Sequence, residues 1–364
     1  MLNFLPFPVL YTRLEVSSMK SAVYFTELER GLSVTVSEES ECFWSGGWFW
    51  TARGRFLAVL LAIVLGFFAP QIHAQAGPQD PPQVLQGRIT SQLSAGQMDA
   101  AVEEARQVVV QYPNSSRAYT LLGTALGKKG LGSEAQTAFR QAIKLDPGIP
   151  WNYFNLALVD FRESQYDEAE KSLETFLRLQ PNNPQAHLLL GRVYFNRKKT
   201  TVAIEQFRKA LAASPQLPTG HYNLGYALRS QAKVTLALEE FKKEIALSPS
   251  FYDPYWLAGD IELLQGNFDS AEKFLDKAIQ LQPDAYQAHY TLARVFLQKK
   301  QYLQAEGELK RVLVLNPDAI QAHFTLAQVY QQMGKVDEAN SEFKIVAALQ
   351  SRQRGSISGI AEER

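Results

Sequence analysis

Cysteine is nearly absent from this 364-residue sequence, which has one, Cys42, and none after it. A disulfide framework needs paired cysteines, and many structural zinc sites need several of them. For the chain after position 42, the lack of cysteine excludes disulfides, cysteine-based metal sites and lipid attachment through a cysteine.

An excess of charge of either sign is also lacking, because 37 Lys and Arg residues balance 37 Asp and Glu residues. Proteins that bind nucleic acid usually carry a clear basic excess, so we expect no nucleic-acid partner. Hydrophobic residues make up 46% of the chain and charged residues 20%, a composition that argues against a largely disordered protein.

No motif with a known catalytic mechanism is present: neither HExxH nor GxSxG occurs. Residues 123–128 resemble a phosphate-binding loop, but this segment has one residue too few between its glycines and ends without Ser or Thr. We therefore expect a protein that is not an enzyme, with no cofactor and no small-molecule substrate.

An uninterrupted apolar run, FLAVLLAIVLGFF, covers residues 56–68 and follows Arg53 and Arg55. Basic residues, an apolar run of this length and a small residue at Ala74 are typical of a secretory signal. Residues 53–74 are thus a signal peptide or, if residues 56–72 are retained, a short signal anchor that holds the protein at the membrane. In both cases the positive-inside rule predicts export of the rest of the chain, in a periplasmic or membrane-anchored form.

The flanking segments have no regular pattern. Residues 1–52 show neither a helix nor a strand period, so we expect an extension that is disordered or lies before the true translation start. The aromatic cluster from Phe43 to Trp50 is alternatively an interfacial belt beside a retained anchor. Prolines and glycine in residues 75–81 predict a linker. Residues 351–364 are expected to form a polar tail.

Three residue types recur every 34 positions in the remaining chain. The prolines are Pro113, Pro147, Pro181, Pro215, Pro249, Pro283 and Pro317. The alanines are Ala101, Ala135, Ala169, Ala203, Ala237, Ala271, Ala305 and Ala339, and a Phe or Leu follows each of the last seven by four residues. Earlier in most units lies a pair such as Leu122-Gly123 or Leu224-Gly225.

Helix geometry explains this pattern. Positions four apart lie on one helix face, and small residues let a second helix approach closely. Proline begins a helix more readily than it continues one. The period therefore predicts two antiparallel helices in each unit, with reversals at Gly130, Gly266 and Gly334.

The period and the order of aromatic, Leu-Gly, Ala, Phe and Pro resemble the tetratricopeptide repeat. Over residues 82–350 the resemblance implies an all-α, right-handed superhelical solenoid of about eight antiparallel helix pairs, with units near 82, 116, 150, 184, 218, 252, 286 and 320. We number these units repeats 1 to 8. Arg88 and Ile89 replace Leu-Gly in repeat 1, which indicates a degenerate cap. Glu244 replaces a small residue in repeat 5, where we expect looser packing.

Four of the five histidines occupy one repeat position: His187, His221, His289 and His323. Equivalent positions in stacked helices lie on the order of 10 Å apart, whereas zinc ligands lie about 2 Å from the metal. The pattern therefore favours a packing role over a metal site.

In solenoids of the family it resembles, the first helices line a concave groove. The candidate groove residues are Trp151, Phe154, Arg162, Arg192, Tyr222, Tyr226, Arg229, Trp256, Asp260, Tyr290, Arg294 and Phe324. Aromatic residues with arginine are typical anchors of interfaces, and some of these rings could instead pack on a neighbouring helix. The lysines of the family's carboxylate clamp are missing, although Asn155 and Asn223 match one clamp position, so a chaperone C-terminus is not expected.

Two functions are compatible with these features. The first is a non-catalytic scaffold of the cell envelope that binds protein or peptide segments in the groove. The alternative is a membrane-tethered accessory subunit of an envelope enzyme or of a secretion or assembly machine. It would dock a partner or a second copy through the C-terminal edge, at Phe343, Val346 and Leu349.

Overall fold

The computed structural model describes residues 80–362, with side chains through residue 353. Over residues 80–362 it contains sixteen α-helices and no strand. The helices are α1 Gln83–Ser94, α2 Met98–Gln111, α3 Ser116–Lys129, α4 Gly132–Leu145, α5 Pro150–Arg162, α6 Tyr166–Leu179, α7 Pro184–Asn196, α8 Thr200–Ala213, α9 Gly220–Ser230, α10 Val234–Leu247, α11 Tyr252–Leu264, α12 Phe268–Leu281, α13 Tyr286–Gln298, α14 Tyr302–Leu315, α15 Ile320–Gln332 and α16 Val336–Glu362.

The chain divides into two compact parts, one that ends at Gly148 and one that begins at Ile149. The first contains α1–α4 and the second α5–α16. Within each part, an odd-numbered first helix packs on the even-numbered second helix that follows it, and that second helix packs on the next first helix. The predicted all-α array of helix pairs is confirmed.

The core of repeats 2 to 8 is built on a small residue of the first helix that faces a large residue of the second. A Cβ added at Gly191 would lie 2.5 Å from Cε1 of Phe207, whose ring is 1% exposed. Glycine is therefore required for the helices of repeat 4 to approach this closely. Repeats 3 and 7 use alanine with leucine instead, as Ala157 with Leu173 and Ala293 with Leu309, and all four residues are fully buried.

In repeat 1 the large residue lies on the first helix and the small residue on the second. Ile89 occupies the glycine position and Ala105 the phenylalanine position, and both are fully buried. Exchanging large and small residues keeps the total core volume nearly constant. The departure from Leu-Gly at Arg88 and Ile89 is thus accommodated without loss of the core.

The turn inside each repeat places one residue in the left-handed backbone region. These residues are Gly96, Gly130, Ser164, Lys198, Ala232, Gly266, Lys300 and Gly334. Three of the glycines are the ones that the sequence predicts at reversals. The four other residues carry a Cβ in a conformation that costs L-residues about 1–2 kcal/mol.

At two first helices, α3 and α7, the preceding side chain accepts a hydrogen bond from a backbone N–H group of the first turn. Ser115 Oγ accepts the N–H of Ala118 at 3.2 Å, and Asn183 Oδ1 accepts that of Ala186 at 3.0 Å. Pro184 stands at the first position of α7, where no N–H is needed. These caps favour the observed starts of α3 and α7.

Glu244 caps a helix from outside that helix. Its carboxylate, fully buried on α10, accepts the N–H groups of Thr219 and Tyr222 at the start of α9, each at 3.1 Å. Ser248 Oγ donates to the same carboxylate at 3.2 Å. Burial raises the pKa of this carboxyl, and the hydrogen bonds oppose that rise. The expectation of looser packing here is wrong, because Glu244 fills its site and satisfies the orphan N–H groups of α9.

The last helix, α16, continues to Glu362 through the segment expected to be a polar tail. No helix within residues 80–362 is long and apolar enough to cross a membrane. The proposed extension at 1–52, the signal or anchor at 53–74 and most of the linker lie outside the described residues.

Candidate protein-interaction face

In the part that begins at Ile149, the first helices of neighbouring repeats contact one another. Such contacts join α5 with α7, α7 with α9, α11 with α13, and α13 with α15, whereas no two second helices in this part of the described chain are in comparable contact. A stack whose first helices lie closer together curves towards them. We call the surface of α5, α7, α9, α11, α13 and α15 the first-helix face.

A recurring contact runs along this face between residues 31 positions apart. The guanidinium of Arg192 lies 4.7 Å from the ring centre of Phe161, and the ring of Tyr226 meets that of Phe195 edge-on at 5.6 Å. In the next repeat, Arg229 donates to Asp260 at 2.6 Å. Each contact joins one first helix to the next. The same pair of repeat positions thus forms a cation–π contact, an aromatic contact and a salt bridge in successive repeats.

Asp260 forms the centre of a charged cluster across three repeats. Its carboxylate is 8% exposed and accepts from Arg229 at 2.6 Å and from Arg294 at 3.4 Å. The Arg294 guanidinium also lies 6.0 Å from the ring centre of Tyr290. Two guanidiniums share this carboxylate, and 36% of the Arg294 side chain is exposed. Such a group can bind a carboxylate of another molecule.

Positive charge is also concentrated where α5 meets α7. Burial, and then the nearby charge of Arg192, lower the pKa of the Arg162 guanidinium. The acids of the first helices are less accessible: Asp160 and Glu262 are buried, and Glu262 accepts from Lys242 of α10 at 3.1 Å. The arginines Arg192 and Arg294 are therefore more accessible to a partner than the acids Asp160 and Glu262.

Five of the predicted groove aromatics share one repeat position but differ in burial. The exposed fraction is 6% for Phe154, 4% for Tyr222 and 43% for Phe324, while Trp256 and Tyr290 are half-buried. Phe154 and Tyr222 lie in the core and present almost no surface to a partner.

The two half-buried rings contact the next repeat. Trp256 Nε1 donates to Thr291 Oγ1 at 3.3 Å, and Tyr290 Oη lies 3.3 Å from Thr325 Oγ1. Their 35-residue offset means that this aromatic position packs between repeats.

Other predicted rings are accessible. Trp151 is 37% exposed and packs edge-on against Phe154 and Phe176. Phe324 of the last repeat meets Phe343 edge-on at 5.8 Å. At the predicted C-terminal edge, Phe343 is half-buried but Val346 is only 7% exposed, so Val346 is a core residue and not part of an exposed edge.

The structure adds face residues that the sequence reasoning missed. Phe161 and Phe195 support Arg192 and Tyr226 from the preceding repeat. The signal was present in the sequence as offsets of 31 residues, three short of the repeat period. Such offsets become meaningful only when the register of neighbouring helices is known.

The four repeat histidines are held separately, each within reach of two partners. Every Nε2 lies 2.9–3.1 Å from the carbonyl oxygen of the proline six residues earlier. Every Nδ1 lies 2.5–2.8 Å from a Glu or Gln side chain nineteen residues later. Among residues 80–362 no group of three metal-ligating side chains comes together.

Comparison with known families extends the sequence pattern. The family described as "Tetratricopeptide repeat" matches residues 87–150, 154–218 and 222–286, which together exceed half of the chain. The family described as "Anaphase-promoting complex, cyclosome, subunit 3" matches residues 264–344. No curated protein matches the sequence significantly.

Among the solved structures similar to this chain are three with TM-scores above 0.5. A chain of the APC/C Cut9-Hcn1 hetero-tetramer has a TM-score of 0.55 and 19% sequence identity, over 66% of this chain and 48% of that one. The present chain thus spans about half the length of that protein. The pilF protein of Pseudomonas aeruginosa has a TM-score of 0.54 and 19% sequence identity, over 58% of this chain and 97% of that one. The C-terminal part of a TPR repeat-containing protein from Cytophaga hutchinsonii has a TM-score of 0.53 and 17% sequence identity, over 65% of this chain and 97% of that one. These likenesses show a shared fold, and the family match with the 34-residue helix pairs shows that the chain belongs to the tetratricopeptide repeat family.

Proposed function

We propose that this protein is an interaction scaffold whose first-helix face, within residues 149–362, binds an extended protein segment with acidic and apolar side chains. The tetratricopeptide repeat fold supports a protein-interaction role, and catalysis is not part of the proposal. The observation that carries the partner chemistry is the line of Arg192, Tyr226, Asp260 and Arg294 at equivalent positions of four consecutive repeats.

Each of these side chains has a supported orientation. Arg192 rests on Phe161, and Arg294 is held between Asp260 and Tyr290. Arginines fixed in this way lose little further conformational freedom when a carboxylate binds, so more of the interaction energy appears as affinity. Neighbouring rings such as Tyr226 offer apolar contact to the same segment.

Selection from a random peptide library on the full-length chain tests the proposal. The selected peptides should be enriched in Asp or Glu together with aromatic or aliphatic residues. Hydrogen bonds to charged groups contribute about 1.5–3 kcal/mol, so Arg192→Gln and Arg294→Gln should each weaken binding about tenfold or more.

Arg311→Gln is the matched control, because Arg311 lies on the second helix α14 and pairs with Asp284 in the loop before α13. This variant should bind the selected peptides as the unaltered chain does. Peptides without acidic residues, or equal binding by all three variants, would show that the first-helix face is not the binding site.

We further propose that the scaffold works in the cell envelope, after export directed by residues 53–74. The apolar run with Arg53 and Arg55 before it supports this location. Mass spectrometry of the protein from fractionated native cells should find a soluble form that begins at Gln75. A cytoplasmic form would contradict export.

A membrane-bound form that retains residues 56–72 would instead favour the tethered accessory subunit. Exposed apolar residues in the last repeat support that second candidate, with exposed fractions of 43% for Phe324, 63% for Val336 and 39% for Ile345. They offer a docking edge for a partner or for a second copy of the chain.

A further inference from the structure

The acidic residues of the first helices are concentrated in repeat 6. Within residues 149–362 the first helices carry four acids, and three of them lie on α11: Asp253, Asp260 and Glu262. The fourth, Asp160 on α5, is 1% exposed. Helix α11 contains no Lys or Arg. Repeat 6 therefore differs in charge from its neighbours along the first-helix face.

Two of the three acids on α11 are paired with basic side chains. Asp260 accepts from two arginines, at 2.6 Å and 3.4 Å, and Glu262 accepts from Lys242 at 3.1 Å. In the part of the chain that the structure describes, Asp253 has neither a hydrogen bond nor a salt bridge. Asp253 is thus the acid of α11 that the protein itself leaves unneutralised.

Asp253 has lost water without gaining a partner. Its side chain is half-buried, and burial raises its pKa from 3.8 to about 6. A carboxylate in the first turn of a helix is normally stabilised by the helix end, which lowers its pKa. The rise shows that the loss of hydration outweighs this effect. At neutral pH the group is still mostly ionised, so a cation that binds it supplies the interaction that the fold does not.

An aromatic ring lies one turn further along the same helix. Asp253, Trp256 and Asp260 are spaced as i, i+3 and i+7, so they follow one face of α11. Trp256 is half-buried, and its Nε1 donates to Thr291 Oγ1 of the next repeat at 3.3 Å, which fixes the ring. The face of a tryptophan ring attracts a cation. Asp253 and Trp256 therefore offer the two groups that favour an ammonium or a guanidinium.

The two ends of this stripe differ in their occupancy. Asp260, about 10 Å from Asp253 along the helix, is already paired with Arg229 and Arg294. The arginines of neighbouring repeats thus meet the C-terminal half of α11, and the N-terminal half keeps its negative charge for another molecule.

We propose that Asp253 and Trp256 form a subsite for a basic side chain, Lys or Arg, of the segment that binds the first-helix face. The subsite rests on the proposed function and adds a positive group to the partner described there. The bound cation makes a charge-assisted hydrogen bond with Asp253 and a cation–π contact with Trp256. Repeat 6 lies between repeats 4 and 7, which carry Arg192 and Arg294. The basic residue therefore lies between the acidic residues that these two arginines bind.

Peptide selection on two full-length chains tests the subsite. Peptides selected from a random library on the unaltered chain should carry a Lys or Arg between their acidic residues. Peptides selected on Asp253→Asn, which keeps the shape of the side chain and removes its charge, should keep the acidic residues and lose the basic one. Asp269→Asn is the matched control, because Asp269 lies on the second helix α12 of the same repeat and pairs with Lys299. It should select the same peptides as the unaltered chain.

Calorimetric titration then measures the contact directly. One selected peptide is compared with its version in which the basic residue is replaced by Met. This replacement should weaken binding to the unaltered chain about tenfold and leave binding to Asp253→Asn nearly unchanged. Asp253→Asn should be at least as stable as the unaltered chain in urea, because it removes an unpaired buried charge. The comparison of the two peptides on the unaltered chain does not depend on that variant.

The outcomes separate this subsite from the proposed function. Equal binding of the two peptides to the unaltered chain, or an equal loss on both chains, overturns the subsite. If the peptides still depend on Arg192 and Arg294, the proposed function stands without it. Selected peptides that are insensitive to Arg192→Gln and Arg294→Gln would refute the proposed function, and the subsite with it.

Discussion

The close contact between Gly191 and Phe207 makes a strong prediction for core packing. A Cβ at position 191 would lie 2.5 Å and 2.6 Å from two ring carbons of Phe207. Carbon atoms in contact normally stay about 3.5–4 Å apart. Gly191→Ala therefore requires the ring to move by about 1 Å. The ring is 1% exposed and has little room for that movement.

The expected energies follow from two opposing effects. Overpacking a core costs about 1–3 kcal/mol, while alanine gains about 1 kcal/mol over glycine inside a helix. Gly191→Ala should thus be neutral or destabilise by up to about 2 kcal/mol. Phe207→Leu alone leaves unfilled space and also destabilises. Together they recreate the alanine with leucine found at Ala157 and Leu173 in repeat 3.

The double substitution should therefore cost less than the sum of the two single ones, with a coupling of about 1–3 kcal/mol. Helix propensity cancels in this cycle, so the coupling reports the contact itself. Hydrogen exchange of α7 and α8 measures the opening free energy of repeat 4 in each variant. Gly307→Ala is the control, because nothing lies within 4 Å of its added Cβ and the substitution should stabilise. Additive effects, or stabilisation by Gly191→Ala equal to that by Gly307→Ala, would refute this account of the core.

Three further predictions concern the turns and the buried acids. Ala232 has a φ of 58°, so Ala232→Gly should raise the free energy of unfolding of the protein by about 1 kcal/mol, measured by urea unfolding. A loss of stability would contradict strain at this turn. Asp260→Asn removes the carboxylate shared by Arg229 and Arg294 and should lower the opening free energy of repeat 6 by about 1–3 kcal/mol in hydrogen exchange. Burial raises the pKa of Asp253 from 3.8 to about 6, so its ionisation lowers stability as the pH rises from about 4 to 6. Asp253→Asn should therefore raise the urea midpoint at pH 7 and leave it nearly unchanged at pH 4.

The sequence period predicts the helix pairs because every repeat must bury the same face against its neighbours. Positions such as Ala203 and Phe207 therefore keep their size and their spacing. The period cannot predict which aromatic rings reach the surface. Phe154 and Phe324 share one repeat position, yet they are 6% and 43% exposed, because exposure depends on what the neighbouring repeat packs against the ring.

Glu244 shows a different limit of sequence reasoning. A glutamate at a position that holds a small residue in other repeats indicates a packing defect when only side-chain size is considered. The structure shows that two orphan N–H groups, those of Thr219 and Tyr222, lie within reach of this carboxylate. Such a cap joins residues that are 22 and 25 positions apart. The hydrogen-bond requirements of a neighbouring helix end cannot be predicted from local sequence.

The positions that vary between repeats are the ones that can define a partner. Along the first-helix face, one position carries Arg192, Tyr226, Asp260 and Arg294 in successive repeats. Neighbouring packed helices lie about 10 Å apart, and an extended chain advances about 3.3 Å per residue, so each repeat corresponds to about three residues of a bound segment. Arg192 and Arg294 are three repeats apart, so the segment that we propose as partner would carry acidic groups about nine residues apart. Because the repeats share one backbone, the proposal predicts that the order of these residues along the stack sets this spacing.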